Sequence, residues 1–200
     1  MELLIATGNP GKVREYDELL AGLPVTCIGP ADLHLCLEVD ESGSTYQENA
    51  ALKAVAFARA SGRLTLADDS GLEVDALAGR PGIHSARYGG PGMDDAGRWR
   101  LLLHEMETVP WEQRTARFCC VIVLATPAGK VSTVEGTCEG MIAFEAAGDN
   151  GFGYDPVFYL PEQDCTMAQL PEGVKNRLSH RGRAAQAVRP IITCLGTGKP

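Results

Sequence analysis

The sequence predicts an α/β protein built as two lobes around a cleft, and three observations predict it. Apolar runs of strand length alternate with stretches of helical spacing. Polar segments fall where those strands and helices end, the usual place for a site assembled from loops. No linker, repeat or low-complexity tract divides the 200 residues, so a single domain over 1–200 is expected, with the cleft as the place for a ligand.

The elements follow in order. Leu3 to Ala6 reads as a strand, Thr7 to Lys12 as a turn, and Val13, Tyr16, Leu19 and Leu20 as the apolar stripe of a helix. A second helix starts near Ser44 or Thr45, because Thr45 and Glu48 have capping-box spacing, and it stops at Gly62. Leu64 to Ala67 is a strand running into Asp68, Asp69, Ser70 and Gly71, followed by alternating Leu72, Val74 and Ala76. A helix from Ala96 to Met106 precedes two apolar runs, Phe118 to Ala125 and Val131 to Cys138, which flank Pro127 to Gly129 as an antiparallel hairpin. Gly140 to Gly153 reads as loop plus strand, and Ser179 to Cys194 as a helix interrupted by Pro190. Gly196 to Pro200 is expected to fray.

Composition narrows the function. A hydrophobic content of 44% buries a real core, and a formal charge of −8 argues against a long polyanion, so no nucleic-acid partner is expected. A small phosphorylated ligand needs only a local basic cluster and a metal. No apolar run approaches the ~20 residues that cross a bilayer, and Met1 to Ala6 carries no basic leader. A soluble, cytoplasmic protein with no membrane partner is the expectation. The seven cysteines show no CxxC spacing, which suggests reduced, mostly buried thiols and neither a disulfide framework nor a zinc site.

Several segments carry chemistry. Thr7, Gly8, Asn9, Pro10, Gly11 and Lys12 suit a phosphate cradle at a helix N-terminus, or a plain strand-to-helix turn; the glycine spacing is not that of a Walker A loop. Lys12 and Glu15 share a helix face, as a surface ion pair or as part of a site, and Lys53 follows Asn49 by one turn. Strand alternation sends Asp68 and Asp69 in opposite directions, so one enters the cleft while the other caps a turn, unless both belong to an acidic turn before Gly71. With Asp69, Asp40 and Glu41 suggest a hard oxygen site for Mg²⁺, the rival being an acidic loop. Phe152, Gly153, Tyr154 and Asp155 set an aromatic between glycines, suited to stacking on a base or to a turn with core aromatics. Lys175, Asn176, Ser179, His180 and Arg181 supply donors.

Together these residues resemble the inosine triphosphate pyrophosphatase family, whose members hydrolyse non-standard purine nucleoside triphosphates such as ITP, dITP and XTP. The resemblance runs from Ala6, Asn9 and Lys12 through Glu41 to Lys53, Ala67 to Leu72, Pro81 to Tyr88 and Gly151 to Phe158, and ends in Lys175, Asn176 and Ser179 to Gly182; Gln169 stands where an acidic residue is expected. It implies an elongated mixed β-sheet with flanking helices, a homodimer, and Mg²⁺ held by Glu41 and Asp69, with Asp69 as base toward the water that attacks the α-phosphorus. It further implies that Thr7 to Lys12, Lys53 and Ser70 grip the triphosphate, that Phe152 stacks on the base, and that Gly153, Tyr154, Asp155, Lys175, His180 and Arg181 surround or read it. A nucleotide sensor without chemistry and a pyrophosphatase for modified pyrimidine nucleotides are the rival readings.

Overall fold

The protein is described from a computed structural model covering residues 1–196, so the segment 197–200 lies outside the described residues. Seven strands, β1 (Glu2–Ile5), β2 (Thr26–Ile28), β3 (Thr65–Val74), β4 (Thr115–Ala125), β5 (Val131–Ile142), β6 (Phe158–Leu160) and β7 (Cys165–Thr166), form one sheet in the order β2-β1-β3-β4-β5-β6-β7. β1 is parallel to β2 and β3, while β6 is antiparallel to β5 and β7, so the sheet is mixed. Among the described residues five α-helices accompany it: α1 (Pro10–Leu19), α2 (Tyr46–Ser61), α3 (Asp95–Glu105), α4 (Glu172–Leu178) and α5 (His180–Gly196).

The chain gathers into two compact units. The first comprises Met1–Asp69, Cys120–Gly136 and Arg181 onward; the second comprises Ser70–Cys119 and Thr137–His180.

In the first unit, alternation along β1 sends Leu3 and Ile5 into a core with Tyr16 and Leu19 of α1 and Ala184, Ala185, Val188 and Ile192 of α5. Leu4 and Ala6 point the other way, against Ala50, Ala54, Phe57 and Ala58 of α2. Burial on both faces is why this strand reads as an unbroken apolar run rather than an alternating one. Helix α2 begins as expected, with Thr45 Oγ1 accepting from Glu48 N at 3.1 Å, and ends at Gly62 in the left-handed region at φ 67°.

In the second unit, Leu72 and Val74 of β3, Phe118 of β4 and Phe158 of β6 pack with Leu102 of α3 and with Met106, which caps that helix. Arg114 is almost fully buried there, and its guanidinium donates to the carbonyls of Met106, Val109, Ile142 and Ala143. A buried charge is tolerable when its donors find acceptors in this way.

Three expectations are corrected. β3 does not end at Ala67 but continues to Val74, because Asp68 and Asp69 each find polar partners on their own side of the strand and can be carried through it. Helix α5 runs on past Pro190; its buried stripe holds it, and Thr193 Oγ1 donates to the Arg189 carbonyl at 3.0 Å close to the break in the ladder. All seven cysteines are free, but only Cys120 and Cys138 are fully buried, while Cys36 and Cys194 are exposed. The expected hairpin forms from β4 and β5, adjacent strands joined by a turn in which Thr126 N donates to the Lys130 carbonyl at 2.9 Å. No helix among the described residues is long and apolar enough to cross a membrane.

Candidate active site

In the first unit, the turn after β1 is organised by its own side chains. Thr7 Oγ1 accepts from Asn9 N at 3.1 Å, and Asn9 Oδ1 caps α1 by accepting from Gly11 N at 2.8 Å, with Pro10 in the first helical turn. Gly8, Asn9 and Pro10 are exposed, and a Cβ added at Gly8 would meet nothing within 4 Å. Lys12 follows immediately and spans both oxygens of Asp68, at 3.0 and 3.1 Å. Lys12 and Glu15 therefore each take a partner from elsewhere in the unit, for Glu15 accepts from Arg181 Nη1 at 3.0 and 3.2 Å.

The parity of β3 separates the two aspartates as expected. Asp68 meets Lys12 of α1 and, at 3.2 Å, Nε of Arg181 in α5. Asp69 meets α2, where Asn49 Nδ2 donates to its Oδ2 at 3.1 Å. Burial alone would raise the Asp68 carboxyl, but Lys12, then Arg181 and Lys53, overcome it and hold the group well below the usual carboxylate range. For Asp69 burial wins: its carboxyl is raised, with Lys53 and Asn49 opposing and the charges of Glu41 and Asp68 adding to the rise.

Around Asp69 the loop before α2 is drawn in by two contacts. Asn49 Oδ1 accepts from Gly43 N at 2.8 Å, and Lys53 Nζ reaches Glu41 at 3.4 Å while donating to the Asp68 carbonyl at 2.8 Å. Any Cβ at Gly43 would come within 2.7 Å of Asn49 Oδ1, so glycine is required for this close approach. Glu41 and Asp69 are hard oxygen donors near enough to repel one another, an arrangement that fits a small divalent cation taking one or two carboxylates.

In the second unit, Asp155 organises the other cluster. Its Oδ2 accepts from Phe152 N at 2.9 Å and pairs with Lys175 Nζ at 2.6 Å, and the same ammonium lies 4.8 Å from the Phe152 ring centroid. Phe152 is 49% exposed, so part of this aromatic residue faces solvent beside that ammonium. Gly153 N donates to Asp95 Oδ2 at 2.9 Å, and the Tyr154 hydroxyl donates to the Ser85 carbonyl at 3.0 Å. His180 is buried in this unit, stacked on Phe118 with centroids 4.7 Å apart and an interplanar angle of 14°. Ser70 is the first residue of the same unit and is partly exposed.

The sequence model of the Ham1 family matches residues 3–191. The chain belongs to the Ham1 family. This Ham1 chain is 49% identical to the dITP/XTP pyrophosphatase of Desulforamulus reducens, over 98% of its own length and 97% of that protein. To the dITP/XTP pyrophosphatase of Geobacillus kaustophilus it is 52% identical, over 92% and 90%. Its fold superposes on the Ham1 protein of Staphylococcus aureus with a TM-score of 0.87 at 40% identity, covering 100% of both chains.

Among the expected site residues of this Ham1 chain, Thr7 to Lys12, Glu41, Lys53 and Asp69 fall in the first unit, and Ser70, Phe152 to Asp155, Lys175 and His180 in the second. Arg181, expected among the base readers, pairs with Asp68 and Glu15 in the first unit, where two carboxylates attract its guanidinium. Sequence reasoning missed Glu15 as the second partner of Arg181, Asp95 as the acceptor for Gly153, and Ser85 as the anchor of Tyr154. Within Pro81 to Tyr88, Ser85 is a structural anchor: its hydroxyl accepts from Leu72 N at 2.8 Å, and its carbonyl holds Tyr154. Gln169 accepts from Thr166 N at 2.9 Å through a neutral oxygen, doing what a carboxylate would do at that turn.

Proposed function

We propose that this Ham1-family protein hydrolyses non-standard purine nucleoside triphosphates, dITP, XTP and ITP, to the monophosphate and pyrophosphate, clearing them from the nucleotide pool. The observation that carries the reading is Asp69: a buried carboxyl raised above its ordinary value, held by Asn49 and flanked by Glu41 and Lys53. A carboxylate of raised basicity is suited to take the proton of a water attacking the α-phosphorus.

Glu41 and Asp69 would hold Mg²⁺, which offsets charge on the phosphates and on the leaving pyrophosphate. Lys12 and Lys53 supply cations to the same oxygens, the turn Thr7 to Gly11, exposed at Gly8 to Pro10, grips them with Asn9 foremost, and Ser70 supplies a hydroxyl. Phe152 stacks on the base, with Gly153 and Tyr154 shaping the loop beneath it. Asp155 accepts from the base edge, and Lys175 and His180 donate to it. A 6-oxo purine presents an acceptor where adenine presents a donor, so such donors would be left unpaired against ATP. A tight fit against the 2-amino group is the added device against GTP. Arg181, engaged by Asp68 and Glu15, fixes the first turn of α5. The working form is a cytoplasmic homodimer with no nucleic-acid or membrane partner, consistent with the net charge of −8.

The test is release of pyrophosphate and orthophosphate from XTP, dITP, ITP, GTP and ATP, with Mg²⁺ and with chelator. Metal-dependent pyrophosphate from the first three is expected. Preferential orthophosphate would put the attack at another phosphorus, and binding without release would make the protein a sensor.

A further inference from the structure

Lys12 and Arg181 meet on one buried carboxylate but are held there differently. Arg181 is 2% exposed; its Nε lies 3.2 Å from Asp68 Oδ2, and its Nη1 lies 3.0 and 3.2 Å from the Glu15 oxygens. Lys12 has only its ammonium to give, it gives it to Asp68, and its side chain is 21% exposed against 3% for Asp68. One cation is fixed by two acids and shut away from solvent; the other rests on a single acid and reaches the solvent. Lys12 also follows the exposed turn Gly8 to Pro10, so a phosphate brought to that turn meets an ammonium already engaged by a carboxylate.

We propose that Asp68 is an internal counter-anion for Lys12: it carries the ammonium while no phosphate is present, yields it to the triphosphate, and takes it back as pyrophosphate leaves. This rests on the function proposed above and deepens it. Asp68 is a positioning residue that acts through Lys12 and does not touch the reacting atoms. Arg181 makes the exchange feasible, because it stays on Asp68 when Lys12 moves and the buried carboxylate is never left without a cation. Lys53, bound to the Asp68 main-chain carbonyl at 2.8 Å, holds the strand in place during the exchange. The consequence is kinetic. Competition from the carboxylate weakens binding of any phosphate species at Lys12, the product included, and product release limits turnover in many enzymes.

Asp68→Asn removes the competing charge and keeps its shape. The probe is inorganic pyrophosphate, titrated calorimetrically in chelator, beside kcat and KM for XTP with Mg²⁺. Pyrophosphate is expected to bind about tenfold more tightly to the variant, with kcat and KM both lowered. Loss of a merely structural contact would weaken binding instead, and equal or weaker binding by a variant that circular dichroism shows to be folded overturns the proposal. Should that variant fail to fold, the wild-type protein decides the question. A crystal structure of the wild-type protein with pyrophosphate needs no variant: Lys12 Nζ should lie on a phosphate oxygen and off Asp68, and Lys12 remaining on both Asp68 oxygens sinks the idea. Wild-type XTP hydrolysis, recorded in the same series, separates the two readings. Absent pyrophosphate release removes the function proposed above, whereas normal release with no gain in pyrophosphate affinity removes only the counter-anion.

Discussion

Asn49 holds Asp69 with one end of its amide and the acidic loop with the other: Nδ2 donates to Asp69 Oδ2 at 3.1 Å while Oδ1 accepts from Gly43 N at 2.8 Å. The donated bond favours the ionised carboxylate and is one of the two contributions that oppose the rise of the Asp69 carboxyl. Asn49→Ala removes it, so the carboxyl rises further and a larger share of the base is protonated at any given pH. The acid limb of the kcat profile should therefore move to higher pH, with the loss of kcat growing as the pH falls. A profile that keeps its position while losing amplitude would show that Asn49 acts on the fold and not on the base.

Asp69→Asn should abolish turnover and yet stabilise the protein. The folded carboxyl is raised above its unfolded value of about 3.9, so above that pH ionisation costs the folded state stability, and below it the cost is absent. A neutral amide escapes the cost. In chelator at pH 7 the variant should melt above the wild type, the gap closing as pH falls below about 4. Adding Mg²⁺ should raise the wild-type midpoint and leave that of the variant nearly unmoved. Equal Mg²⁺ stabilisation of both proteins would take Asp69 out of the metal site.

Asp68 carries the opposite sign. Its carboxyl is held below the usual range by Lys12, Arg181 and Lys53 against the effect of burial, so it contributes stability that is present above the unfolded value of about 3.9 and lost as pH falls through the depressed folded value. Breaking a buried pair of this kind costs roughly 3 to 5 kcal/mol. Thermal melts of the wild type and Asp68→Asn should differ most near neutrality and converge in acid. A difference independent of pH would mean that shape, and not charge, holds the cluster.

How far these relationships were legible depended on how local they are. The turn Thr7 to Lys12, the Thr45 cap and the Gly62 stop all rest on contacts within a few residues, and they were readable. So was the divergence of Asp68 and Asp69, which follows from the two-residue period of a strand. The ion pairs of Arg181 were not legible because its partners lie 113 and 166 residues away, and a pair at that separation leaves no local pattern. β3 was cut short at Ala67 because two adjacent acids resemble a turn until their partners are known. β6 and β7, three and two residues long, are too short for any alternation to show.

Tyr154 tests whether a distant anchor governs the base cluster. Its hydroxyl donates to the Ser85 carbonyl at 3.0 Å, both residues are buried, and its neighbours Gly153 and Asp155 are tied to Asp95 and Lys175. Tyr154→Phe keeps the ring in the core and leaves the Ser85 carbonyl without that donor, a loss worth about 1 to 3 kcal/mol. The loop that carries Phe152 is then less well fixed, so stacking on the base suffers while the phosphate cluster of the first unit is untouched. KM for XTP should rise several-fold with kcat nearly unchanged, and affinity for inorganic pyrophosphate should stay at the wild-type level. A matching fall in pyrophosphate affinity would show that the substitution disturbs the whole protein, and an unchanged KM with a lower melting temperature would reduce the Ser85 contact to a role in stability alone.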